Sequence, residues 1–172
     1  MKSFSIKNNT NKGVTLIETL VYLALFAILF GGAVIATYSL IESNGRGQAQ
    51  VLLEEEGNFI VSKISSALSG AKSVEMPSVG ATSSKLSLTK WDPSLNTVVI
   101  QLNSGNVTIS KNSGADVVFN NPDVSVSNLN FKQNYNGGTN PKSVNFSFTI
   151  TSRSLGGVII SQDFAGEKYF RK

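Results

Sequence analysis

Gly13-Val14-Thr15-Leu16-Ile17-Glu18 opens the stretch that decides the fold, and Thr19 to Ile41 extends it by 23 residues without a charge. Most of those positions are Leu, Ile, Val, Ala or Phe. At about 1.5 Å per residue, a helix of this length crosses a hydrocarbon core of about 30 Å. Lys2, Lys7 and Lys12 precede it. Cations on that side place the N-terminus in the cytoplasm and the rest of the chain outside. Glu18 is the one charge near the start of the apolar run. A carboxylate at such a depth is costly, so it marks a functional position.

Two other kinds of apolar N-terminus fit this sequence less well. A secretory signal peptide has a shorter apolar region and a small-x-small cleavage site after it. Ala33-Val34-Ile35-Ala36 matches that site poorly. A plain signal anchor suits the length and the flanking charge. It gives Gly13 and Glu18 no role.

The order Lys12-Gly13-Val14-Thr15-Leu16-Ile17-Glu18, followed by a long apolar helix, resembles the class III signal of type IV prepilins and type II secretion pseudopilins. The resemblance covers residues 12 to about 41. It implies a prepilin peptidase, a membrane enzyme that cuts after Gly13 and methylates the new amine on Val14. It implies that the helix stays in membrane lipid until an assembly platform in the cytoplasmic membrane adds the subunit to a filament of pilin or pseudopilin subunits. It implies that Glu18 serves assembly by neutralising the N-terminal amine of a neighbour. Val14 stands where Phe or Met is commoner. Ile35 stands where major pilins often carry a helix-weakening Pro. The Gly31-Gly32 pair offers local weakness instead, because Gly is costly in a helix. Ala27 with Gly31, and Gly32 with Ala36, are small residues four apart, a spacing that lets membrane helices approach closely.

The chain has 172 residues, enough for one domain besides the helix. Charged residues make up only 15%, and Ser, Asn, Thr and Gly are abundant, which suits a β-rich domain. The formal charge of +4 overstates the basic character. Three of the 15 basic residues precede Gly13, leaving 12 against 11 acidic ones. Nucleic-acid binding therefore gains little support from charge. There is no Cys and no His. Disulfides, thiolate nucleophiles, Ser-His pairs and the usual zinc ligands are thereby excluded.

Beyond the span, residues 42–69 read as an amphipathic continuation of the helix. Leu53, Phe59, Ile60, Ile64, Ala67 and Leu68 recur at helical spacing. Gly45, Gly47 and Gly57 read as weak points, and Gly70 as a left-handed cap that ends the helix after Ser69. Glu54-Glu55-Glu56 reads as a solvated face; in a filament it could meet a basic residue such as Arg46 of the next subunit.

Residues 70–172 read as a β-rich extracytoplasmic domain. Ser73–Met76 and Lys85–Thr89 are short strands around the loop 77–84. Asp92-Pro93-Ser94 is a turn, and Trp91 a core or rim anchor. Val98, Ile100 and Leu102 alternate into a Ser104-Gly105 turn and then Val107 and Ile109. Val117–Phe119 is a short strand. Val124 and Val126 are out of phase with Leu129 and Phe131, which predicts a bulge near Ser127-Asn128. A Gly/Asn-rich loop covers 135–141. Val144, Phe146, Phe148 and Ile150 alternate cleanly with polar residues. Gly156-Gly157 leads to Val158, Ile160 and Phe164.

The expected architecture is α+β and pilin-like: one long N-terminal helix on an antiparallel sheet of about six to eight short strands. Size, strand richness and the Phe170-Arg171 ending resemble the J-type and W-type minor subunits. Asp92, Asp116, Asp123 and Asp163 form no catalytic grouping. Asp116 and Asp123 flank Asn120-Asn121-Pro122, and such oxygens suit either calcium or plain turn capping. No metal and no cofactor is expected. Three function classes stand: a structural filament subunit, a displayed extracytoplasmic module that binds DNA, a surface or a secreted protein, and a signal-anchored enzyme, for which no catalytic residues are found.

Overall fold

The computed structural model describes residues 13–92, 97–134, 142–154 and 157–169. The basic leader up to residue 12, residues 93–96 of the predicted turn, the loop 135–141, Gly156 and the Phe170-Arg171 ending lie outside them. The chain divides into two compact units, one ending at Ile41 and one beginning at Glu42. One helix, α1 (Leu16–Ser69), belongs to both.

In the first unit every described residue is exposed. Leu, Ile, Val and Phe side chains are exposed around the helix, so it buries no apolar stripe within the unit. The segment is long and apolar enough to cross a membrane, which fits anchoring there.

In the second unit the same helix becomes one-sided. Gly45, Ala49, Leu53, Gly57, Ile60, Ile64, Ala67 and Leu68 are buried at spacings of three and four. This stripe packs on two antiparallel sheets. The first has the order β1 (Ala71–Met76), β3 (Lys85–Lys90), β4 (Thr97–Asn103), β5 (Asn106–Lys111), β6 (Val117–Val118). The second has the order β2 (Thr82–Ser83), β7 (Val124–Asn134), β8 (Ser143–Arg153), β9 (Ile159–Tyr169). Leu86, Leu88 and Ile100 from one sheet and Phe131, Phe148 and Ile150 from the other join Leu53, Ile60 and Ile64 in one core.

The single expected sheet is thus corrected to two. The divergence comes from the stretch read as the loop 77–84. Two of its residues, Thr82 and Ser83, pair with Lys132 and Phe131 of β7 instead of extending the first sheet. Alternation reveals strands but not which strands pair.

Several local expectations hold. Asn103 pairs with Asn106 across Ser104 (φ 50°) and Gly105 (φ 82°), a two-residue turn with both residues left-handed. The register of β7 against β8 shifts between Ser127 and Asn130, with Asn128 at φ 54°. That one shift keeps Val124 and Val126 on one side of it, and Leu129 and Phe131 on the other, all in the core.

Others are corrected. Trp91 is 66% exposed; β3 ends one residue earlier, and the ring lies on the surface with the Lys72 ammonium 5.4 Å from its centre. Phe59 is 42% exposed and meets Phe119 edge-on at 6.5 Å. The stripe passes instead through Gly57. That glycine is not a weak point: the Phe164 ring of β9 lies against it, and a Cβ there would stand 2.0 Å from Phe164 Cζ. Phe164 in turn stacks on Phe148 at 5.5 Å. Gly70 does follow the last helical residue, but its φ is not in the left-handed region. The last carbonyls are capped from outside: Lys90 Nζ donates to the carbonyls of Ser66 and Ala67. A cation there complements the negative helix end and meets otherwise orphaned acceptors. Burial, and then the nearby Lys111, hold the Lys90 pKa below its ordinary value.

Candidate assembly site

The start of α1 carries four polar side chains, Thr15, Glu18, Thr19 and Tyr22, at i, i+3, i+4 and i+7. This spacing puts them on one helix face, in a segment that is otherwise apolar. Gly13 and Val14 lie just before the helix, exposed, and a Cβ at Gly13 would meet nothing within 4 Å.

Thr15 caps the helix. Its Oγ1 accepts from the Glu18 backbone N–H at 3.3 Å, and its carbonyl accepts from the Thr19 N–H and hydroxyl at 3.1 and 3.0 Å. A Thr-x-x-Glu start would ordinarily close as a reciprocal box, with the Glu carboxylate returning to the cap N–H. Here only the first half forms. The Glu18 carboxylate runs the other way, and its Oε1 accepts from the Tyr22 hydroxyl at 3.0 Å. A carboxylate in the first turn is also favoured by the positive helix end. Ala27, Gly31, Gly32 and Ala36 are all exposed, and a Cβ at Gly31 or Gly32 would meet nothing within 4 Å. Phe26 and Phe30 stack at 5.7 Å, continuing the line from Tyr22.

Residues 8–34 match the prokaryotic N-terminal methylation motif. The motif spans Gly13, Val14, Glu18, Ala27, Gly31 and Gly32, and ends before Ala36. It supports a class III signal and a type IV prepilin-like precursor, and it describes a structural family, not a catalytic one. No curated protein and no solved structure matches the chain.

The remaining candidates disperse in the second unit. Arg46 pairs with Glu42 of its own helix at 2.6 Å. Glu54 and Glu55 are exposed, while Glu56 Oε2 accepts from the Asn121 N–H at 3.3 Å. Asn120 is buried; its Oδ1 accepts from the Val107 N–H at 2.7 Å, and its Nδ2 donates to Asn106 Oδ1 and the Asn121 carbonyl. Asn121 Oδ1 accepts from the Asp123 N–H at 2.9 Å, the turn-capping role. Asp116 Oδ2 instead accepts from Gln101 at 2.8 Å. Asp163 accepts from Thr149 at 2.7 Å. Among the described residues, no three His, Cys, Asp or Glu side chains gather as a metal site.

Tyr22 and Asn120 were not singled out from the sequence. Tyr22 was legible in principle, since i and i+4 residues meet on a helix. In sequence Asn120 reads only as a turn former, and nothing local announces that it is buried.

Proposed function

We propose that this chain is a structural subunit of a type IV pilus-like filament or a type II secretion pseudopilus, and not an enzyme. The prepilin peptidase cuts it after Gly13 and methylates Val14. Its helix rests in membrane lipid, then joins other pilin or pseudopilin subunits through the assembly platform. Glu18 takes part in joining by pairing with the Val14 amine of an adjacent subunit. Ala27, Gly31, Gly32 and Ala36 let neighbouring helices approach. The carrying observation is the methylation motif laid over an apolar helix whose first turn holds the carboxylate of Glu18. A charge in hydrocarbon calls for a cationic partner. Within that system we place the subunit among the minor ones, on the strength of Ile35 and the large β domain.

Expression of Glu18→Val beside the native chain tests the reading. The variant should be cleaved, keep its place in the membrane and be absent from sheared filaments. Normal incorporation removes the assembly role. Intact mass of the native protein should show an N-methylated Val14; another N-terminus, in cells that hold the peptidase, overturns the processing step. Gly13→Leu should remain uncut. Quantitative mass spectrometry of sheared filaments decides rank: if this subunit is the most abundant, the minor role fails and the filament role survives.

A further inference from the structure

We propose that Tyr22 is a positioning residue that turns the Glu18 carboxylate away from its own chain's N-terminus and so reserves it for a neighbour. The inference rests on the assembly role given to Glu18. Three observations carry it. Thr15 and Glu18 hold the spacing of a reciprocal cap, yet only the Glu18 N–H to Thr15 bond is made. The carboxylate is extended along the helix to the Tyr22 hydroxyl, at 3.0 Å. Thr15, Glu18, Thr19 and Tyr22 share one face, and Thr19 is occupied with the Thr15 carbonyl, which leaves Tyr22 as the donor that reaches the carboxylate.

The competition is a matter of distance along one chain. After cleavage at Gly13, the new amine on Val14 would stand four residues before Glu18. A carboxylate folded back towards the helix start would find that amine and the Thr15 N–H together. Such a chain neutralises itself and has little to offer a neighbour. With the carboxylate held one turn further on, the amine of the same chain lies out of its reach and an adjacent subunit can supply the cation. A hydrogen bond to a charged group is strong enough to shift this choice about tenfold or more.

The test uses the mature full-length chain. Tyr22→Phe keeps the ring and removes only the hydroxyl. Tyr22→Gln puts an amide donor at the same i+4 position. Glu18 carboxyl carbon and Val14 amine nitrogen are isotope-labelled, and their dipolar coupling is measured by solid-state NMR in vesicles at a dilution where chains do not meet. In parallel, incorporation into sheared filaments is quantified for each variant and for Glu18→Val. The native chain should show no coupling within the chain. Tyr22→Phe should show it and be incorporated about tenfold less, and Tyr22→Gln should restore both readouts. Normal incorporation of Tyr22→Phe, or loss of incorporation without the new coupling, overturns the positioning role. If Glu18→Val still fails to incorporate, the assembly reading stands without it. If Glu18→Val is incorporated normally, the assembly reading falls, and the positioning role with it.

Discussion

The two halves of α1 share a secondary structure and differ in what surrounds them. From Leu16 to Ile41 the helix is exposed on every side and apolar but for the face of Glu18, Thr19 and Tyr22 at its start and Thr37 to Ser39 near its end. From Glu42 to Ser69 it is polar outside and buried along one stripe. The glycines show the difference most sharply. Gly31 and Gly32 face open space, whereas Gly57 is filled to contact by the Phe164 ring. Gly31 and Gly32 leave room for something outside the chain; Gly57 admits the chain's own strand β9.

Removing the first half altogether is the severest test of that contrast. A chain beginning at Glu42 should lose all membrane association and still fold. Circular dichroism should report mixed helix and sheet with one cooperative melt. A disordered product would mean that the stripe from Leu53 to Leu68 and its sheets cannot form a core unaided.

The glycines give the next largest effect. Gly57→Leu should destabilise the domain by about 3 kcal/mol, because the side chain and the Phe164 ring claim one space. Gly31→Leu, on the same helix, should leave the melting of the domain unchanged in detergent. Equal effects from both would erase the distinction between the halves. Asn120→Ala should cost about 2 kcal/mol in chemical denaturation, since it strands the buried Val107 N–H. Lys90→Met should cost about 1 kcal/mol by freeing the helix-end carbonyls of Ser66 and Ala67.

Lys90 also sets a sign. Its folded pKa lies below the ordinary value, through burial first and Lys111 second. In the window between the lowered folded value and the ordinary one, the unfolded chain binds more protons. Stability therefore rises with pH across that window. Thermal melts at alkaline pH should show a small rise in the native chain that is absent in Lys90→Met.

The helix, the alternating strands and the shift in β7 were legible because each is written in local periodicity. Val144, Phe146, Phe148 and Ile150 needed only their own neighbours to be placed. The sheet assignment was not legible, because Thr82 and Ser83 choose β7 by tertiary contact. Most of β9 was missed because Gln162, Gly166 and Lys168 occupy its inward phase and blur the alternation. Gly166 is there for a reason invisible in sequence: a Cβ would stand 2.4 Å from the Phe146 ring. Trp91 was misplaced because size argues for burial only when a strand carries the ring inward. Of the candidate assembly segment, Gly13, Val14 and Glu18 stand out by order and charge. The direction of the Glu18 carboxylate did not, because Thr-x-x-Glu alone points the other way.

The Gly57–Phe164 contact joins the helix to β9, with β1 to β8 between them in the sequence. Contacts of such long sequence separation demand loop closure before they contribute, and they slow folding. Hairpins such as β4–β5 and β7–β8 can form early from nearby residues. The helix stripe stays uncovered opposite Gly57 until β9 arrives. For a chain made from its N-terminus, the domain therefore closes only after β9 has been delivered, the latest of its described strands to emerge.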